Sequence, residues 1–280
     1  LLAVHIEISF KNLVSWWLND MKSIYQAIVE IEEHNETAAL CTIVRSLGST
    51  PRHTTSKMLV YLDGRILGSV GGGELEKRLI AEALQVIAEG KPRLLEYSMS
   101  DPARGDPGVC GGQLEVYVEP ILPKPVLLLI GGGHVGKAVA HLAKWLGFYV
   151  ILSDDRPEFC TPESVPDADE YHAVPMSALR ERVKITPWTY IVLTTRGMNV
   201  DVEGLPGLLG APYAYLGIIG SKRRWTLTRK ALAEKGVPQQ ALEKVHSPIG
   251  LEIGAETPEE IAVSILAEII ALRNIGDTGV

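Results

Sequence analysis

The sequence predicts an α/β protein with two domains, a smaller N-terminal α+β domain followed by a Rossmann-type parallel-sheet domain. Three observations carry this. The all-apolar run Val126–Ile130 leads into Gly131-Gly-Gly-His-Val-Gly136, which opens a helix, the strand–turn–helix context in which a G-x-G-x-x-G turn is meaningful. Beyond it strand and helix patterns alternate, whereas the first 120 residues hold short strands, a hairpin and isolated helices. Between the halves stands Pro120-Ile-Leu-Pro-Lys-Pro125, with three prolines in six residues, a composition that stiffens a linker. The expected divisions are an extension or expression remnant at 1–20, an N-terminal domain at 21–120, a linker at 121–125 and the Rossmann-type domain at 126–280. Residues 1–20 lack a basic leading segment, and Glu7 interrupts a very short apolar stretch; that is not the pattern of a signal peptide.

In chain order, Ile24, Ala27, Ile28 and Ile31 have helical spacing. Ala38–Val44 reads as a strand. Met58–Leu62 and Arg65–Ser69 flank an Asp63-Gly64 turn, a hairpin signature. Glu74–Glu89 places Leu75, Leu79, Ala83, Val86 and Ile87 on one side of a helix. Leu94–Tyr97 and Leu114–Val118 read as strands around the long Gly/Pro/Asp loop 98–112. In the second half, strands are expected at Val126–Ile130, Tyr149–Leu152, Tyr190–Thr194 and Tyr213–Ile219, with a helix at His134–Gly147. The last helix starts at Thr257-Pro-Glu-Glu260, where Thr257 suits the N-cap, Pro258 the first turn and Glu260 the reciprocal capping position. Ile261, Ile265, Ile269 and Leu272 form its buried stripe.

Composition narrows the function classes. With 27 Lys and Arg against 34 Asp and Glu, the formal charge is −7. That argues against nucleic acid or an anionic membrane as a bulk partner, but it leaves room for a local basic pocket. Three widely spaced cysteines, Cys41, Cys110 and Cys160, suit neither a disulfide framework nor a paired zinc site; a reducing, cytoplasmic setting fits them. No run of about 18 apolar residues predicts a membrane span.

Several motifs can carry chemistry. Gly131, Gly133 and Gly136 provide a tight turn, close approach for a pyrophosphate and helix–strand packing. Asp154 and Asp155 follow Gly136 at the distance expected of a ribose-binding acid, and Asp154 would favour a free ribose diol. The glycines can equally be read as serving packing alone. Gly217–Arg224 is a turn with three basic residues after Ser221, either an anion nest or a solvated helix start. Gly48-Ser-Thr-Pro-Arg52, with Lys57 beyond it, offers hydroxyls and a guanidinium fork, or is a plain turn. Gly71-Gly-Gly73 is anion-shaped, but Glu74 and Glu76 in the following turn disfavour an anion. Thr194-Thr-Arg-Gly197 ends a strand, and Arg196 is placed to contact ligand or to pair with Asp201. Cys110, in Pro107-Gly-Val-Cys-Gly-Gly112, is a loop thiol within reach of a ligand, reactive or metal-binding unless inert. Cys41 and Cys160 read as structural.

In this order the motifs resemble the xanthine dehydrogenase accessory protein family, chaperones that handle molybdenum cofactor for molybdenum hydroxylases. The resemblance runs from about residue 21 to 275. It rests on Gly48–Arg52, Lys57-Met58, Gly68-Ser-Val-Gly-Gly-Gly-Glu74, Cys110-Gly-Gly112, Glu119-Pro120, Gly131–Gly136, Asp154-Asp-Arg156, Thr194–Gly197, Tyr215–Ser221 and Pro248–Gly254 running into Thr257–Ile261. The chain departs from the family at Thr55-Ser56, where Gly-Ala is usual, and at Met198, where His is usual. The resemblance implies binding of molybdenum cofactor, help with its sulfuration, and insertion into a xanthine dehydrogenase-like apo-enzyme, without turnover of its own. It points to Arg52, Lys57, Cys110 (also as metal ligand), Gly131, Gly133, Gly136, Asp154, Arg196 and Ser221 as cofactor-binding. It further implies a molybdenum hydroxylase and a cysteine desulfurase as partners, and a homodimer. The glycine turn with Asp154 adds NAD(P) as a candidate ligand. It also keeps open an NAD(P)-dependent oxidoreductase, against which no hydride-transfer constellation is visible, or a nucleotide-sensing module.

Overall fold

A computed structural model describes residues 23–50, 52–100, 107 and 111–275, and the chain divides between Pro123 and Lys124 into two compact units. No helix among the described residues is long and apolar enough to cross a membrane.

The first unit is built on one antiparallel sheet. Its elements are α1 (Ile24–Glu33), β1 (Ala38–Leu47), β2 (Lys57–Tyr61), β3 (Ile66–Gly68), α2 (Gly73–Glu89), β4 (Arg93–Ser98) and β5 (Gln113–Ile121), in the sheet order β3-β2-β1-β5-β4. Side chains alternate across the sheet with period two. Ala39, Cys41, Met58, Val60, Val116 and Val118 pack under α2 through Leu75, Leu79, Ala83 and Val86. Ala38, Leu40 and Leu59 point the other way and meet Ala27 and Ile31 of α1. The start of α1 is fixed by a capping box between Ser23 and Gln26. β5 runs on through Pro120 to Ile121, further than the apolar pattern shows. Pro120 pairs with Ala39 beyond the last β4 pair at Val118, where a missing N–H interrupts no second ladder.

A bulge between Ile43 and Arg45 shapes the approach to β2. Thr55 N–H donates to the Ile43 carbonyl at 2.8 Å, and Ile43 N–H donates to the Ser56 carbonyl at 3.0 Å. Between these bonds Thr55 is held at φ 77°, a left-handed conformation that is costly for a β-branched residue. This is one of the two positions where the sequence departs from the resembled family, so the chain keeps the glycine-type backbone without the glycine. Thr55→Gly is expected to stabilise the unit by about 1 kcal/mol, the relief of left-handed strain less the entropy glycine loses. Thermal melting of the variant checks this.

The second unit carries β6 (Val126–Ile130), α3 (His134–Trp145), β7 (Tyr149–Ser153), β8 (Glu170–His172), β9 (Thr189–Leu193), α4 (Met198–Leu208), β10 (Tyr215–Ile218), α5 (Lys222–Glu234), the short α6 (Gln239–Leu242) and α7 (Pro258–Ile275). Its strands are all parallel, ordered β10-β9-β6-β7-β8. β6 lies at the centre, and the order reverses between it and β9, the point where doubly wound sheets open a crevice. Leu127 and Leu129 pack on α3 and α7, while Leu128 and Ile130 pack on α4, α5 and the 3₁₀ turn Met176–Glu181. The capping box at α7 is formed: Glu260 N–H donates to Thr257 Oγ1, and Thr257 N–H donates to Glu260 Oε2. Ile265 and Ile269 are fully buried beneath it.

Candidate functional site

The Gly131 turn is made by contacts that admit only glycine. Gly131 has φ 116° and lies against Thr194, whose Oγ1 donates to the Gly131 carbonyl at 2.8 Å. A Cβ at Gly136 would fall on that same carbonyl, and one at Gly132 on the Phe159 carbonyl. Gly133, by contrast, faces open space, which leaves room for a ligand to approach α3.

Two of the turn amides are taken. Gly131 N–H donates to the Ser153 carbonyl at 2.8 Å, and Gly132 N–H donates to Asp154 Oδ2 at 2.9 Å. Asp154 is 4% exposed. Its remaining acceptor positions are taken by Arg156, through the backbone N–H at 3.0 Å, Nε at 2.9 Å and Nη2 at 2.8 Å. Four donors thus converge on a carboxylate with about four lone-pair sites. Arg156 also stacks over the Phe159 ring at 3.9 Å, which fixes the fork in place.

Beside this turn a crevice of about 390 Å³ opens at the C-terminal ends of β6, β7 and β9. Ile130, Val174, Met176 and Val200 contribute apolar surface, and Asp154, Asp155, Arg156, Arg196 and Glu203 contribute charge. Arg196 does not pair with Asp201. Its two Nη atoms clasp Asp155 at 2.5 and 2.8 Å, and the guanidinium holds the Asp155 carboxyl below its ordinary range. Asp201 is fully buried and is bound instead by Thr195 Oγ1 and by Arg224 Nη2, the latter at 2.6 Å. Arg224 therefore turns inward from the basic run after Ser221. Ser221 itself caps α5, accepting from Arg224 N–H at 3.2 Å, and does not line the crevice.

In the first unit two sequence motifs meet. A Cβ at Gly112 would strike the Ser49 and Leu47 carbonyls and the Thr50 methyl, and one at Gly48 would touch Gly112. The Gly48–Thr50 turn and the glycines following Cys110 are thus in van der Waals contact. Arg52 is exposed, and its carbonyl accepts from Thr50 Oγ1 at 2.9 Å. Lys57 Nζ reaches across the sheet to Thr42 Oγ1 at 3.1 Å. Cys110 lies outside the described residues. Among the described residues no cluster of three or more His, Cys, Asp or Glu is placed to hold a metal ion.

The Gly71–Gly73 turn is filled by the chain itself. Burial alone would raise the Glu76 carboxyl, but hydrogen bonds from Ser69 and from the amides of Gly72, Val70 and Gly71 outweigh it and hold it below its usual range. Cys41 is buried, which pushes its thiol up to about 12. Cys160 is buried too, its Sγ donating to the Leu152 carbonyl at 3.6 Å. Alkylation of native protein at about pH 8, just below the ordinary thiol pKa, is expected to leave both largely unmodified, since the thiolate is the nucleophile. Peptide mapping that finds Cys41 among the fast sites would contradict this.

Residues 127–269 match the family described as the XdhC Rossmann domain, and residues 32–98 match the XdhC and CoxI family. The chain belongs to the XdhC family. The uncharacterized protein YqeB of Escherichia coli (strain K12) is 40% identical over 254 residues, which is 90% of this chain and 46% of that protein. A probable xanthine dehydrogenase subunit of Bacillus subtilis (strain 168) is 36% identical over 158 residues, 56% of this chain and 46% of that protein. The chain thus spans about half the length of these two relatives. The molybdenum cofactor insertion chaperone PaoD of Escherichia coli (strain K12) is 24% identical over 284 residues, covering 91% of this chain and 89% of PaoD. A crystal structure of a xanthine dehydrogenase from Bacillus halodurans aligns at 25% identity and TM-score 0.49, covering 88% of this chain and 95% of that one.

Proposed function

We propose that this XdhC-family chain binds molybdenum cofactor and inserts it into a molybdenum hydroxylase of the xanthine dehydrogenase type. The observation that carries the reading is family membership over both units, together with an alignment to the chaperone PaoD along nearly all of both chains. The cofactor is cargo here, and the protein's task is to hold, shield and release it. Such cargo presents a phosphate, a planar pterin and a metal with exchangeable ligands. In this reading Arg52 and Lys57 neutralise the phosphate, and Cys110 supplies a thiolate to molybdenum while an oxo ligand is exchanged for sulfido. The packing of Gly48–Thr50 on Gly112 supports this assignment, because it brings the Arg52 turn next to the strand entry that follows Cys110. A cysteine desulfurase as sulfur donor, a homodimeric assembly and a cytoplasmic setting belong to the same proposal.

Anaerobic purification from a host that makes the cofactor, followed by metal and pterin analysis, tests it. Molybdenum and pterin are expected together, near one each per chain, and Arg52→Ala with Lys57→Ala should lower both. Neither component above background, in protein made with excess cofactor, would overturn the reading.

A further inference from the structure

In the Rossmann crevice the acid placed for a ribose is already occupied. Recognition of a ribose diol needs a carboxylate with free lone pairs, and all of Asp154's are occupied by Gly132 and Arg156. Of the amides at the glycine turn, those of Gly131 and Gly132 are already bonded to Ser153 and Asp154, which leaves a pyrophosphate only the amides at the start of α3. The lining charge is also wrong for a polyanion. Two guanidinium groups stand against three carboxylates, and each guanidinium is already paired, Arg156 with Asp154 and Arg196 with Asp155. Glu203 has no ion-pair or hydrogen-bond partner among the described residues. It lies one residue from Gly204 on α4, and Gly204 is packed against Met176 on the apolar side of the crevice.

A crevice of this size, with Ile130, Val174, Met176 and Val200 on its apolar wall, two closed ion pairs and one carboxylate left over at its rim, suits a planar heterocycle whose edge donates two parallel hydrogen bonds. The amino–lactam edge shared by pterin and guanine does so, and a carboxylate accepts it in bidentate fashion. Adenine offers an amino group beside ring acceptors, which face a carboxylate poorly. We infer that the crevice of the second unit is a site for an amino–lactam heterocycle, gripped at its edge by Glu203. The inference rests on the proposed cofactor role and adds to it a ligand site of pterin type within the second unit alone.

The test is calorimetry on the full chain with 6-hydroxymethylpterin, guanosine, adenosine and NAD, for wild type and Glu203→Gln. Glu203 is exposed, so the variant is expected to fold, and its melting temperature confirms it. Pterin and guanosine should bind at least ten-fold tighter than adenosine or NAD, and Glu203→Gln should lose at least ten-fold for the first pair alone. NAD or adenosine binding as tightly as guanosine overturns the site, as does a variant with unchanged pterin and guanosine affinity. Purification of both forms from a cofactor-competent host separates the two readings. Wild type and variant carrying equal molybdenum and pterin would sink the Glu203 site and leave the chaperone role intact. A chain that binds guanosine through Glu203 but never carries molybdenum keeps the site, as one for guanine nucleosides, and loses the chaperone role.

Discussion

Asp201→Ala is expected to destabilise the second unit by about 3–5 kcal/mol, the cost of removing one partner from a buried ion pair. Asp201 is fully buried at the start of α4 and accepts from Thr195 and from Arg224. Without it the Arg224 guanidinium keeps only Thr195, and its Nε is already buried without a partner. For a unit of this size that loss corresponds to a melting temperature lower by roughly 10 °C. The double variant Asp201→Leu with Arg224→Met should recover much of it, because an apolar pair of similar volume avoids the stranded charge. A single variant that melts within a degree of wild type would show that the pair contributes little.

Gly136→Ala should cost several kcal/mol, at or above the usual range for overpacking of about 1–3 kcal/mol. The added methyl would fall on the Gly131 carbonyl, a backbone atom that Thr194 also holds. Relief requires α3 to lift from β6 or the turn to open, so loss of the crevice should accompany loss of stability. Gly133→Ala is the internal control. It faces open space with an ordinary φ of −72°, and should change the melting temperature by no more than a degree or two. Thermal melts of both variants, side by side, check the contrast.

Much of the framework is legible in the sequence because local chemistry and tertiary packing agree there. The apolar run before Gly131, the Thr257–Glu260 capping box and the stripe on α2 each satisfy their own hydrogen bonds or bury their own face. α4 is hidden because Gly204, Pro206 and Gly207 break helix propensity within it. α5 shows in the sequence only as a basic helix start, since Arg224 leaves that surface to reach Asp201 across the fold. The acid after β7 stands at the spacing a ribose ligand needs, yet spacing carries no information about who occupies its lone pairs. Arg156, two residues on, closes them by folding back, and Glu76 fills its own glycine turn in the same way. These are side-chain choices made after the backbone is set, and periodicity does not report them.

Delivery of the cofactor to an apo-enzyme can be observed directly. The direct measurement is activation of a purified apo-form xanthine dehydrogenase-type hydroxylase by this chain loaded with molybdenum cofactor, against an equal concentration of free cofactor. The loaded chain is expected to restore hydroxylase activity faster and to a higher level, with molybdenum leaving the chain in proportion. Activation no better than by free cofactor, with molybdenum retained on the chain, would contradict it.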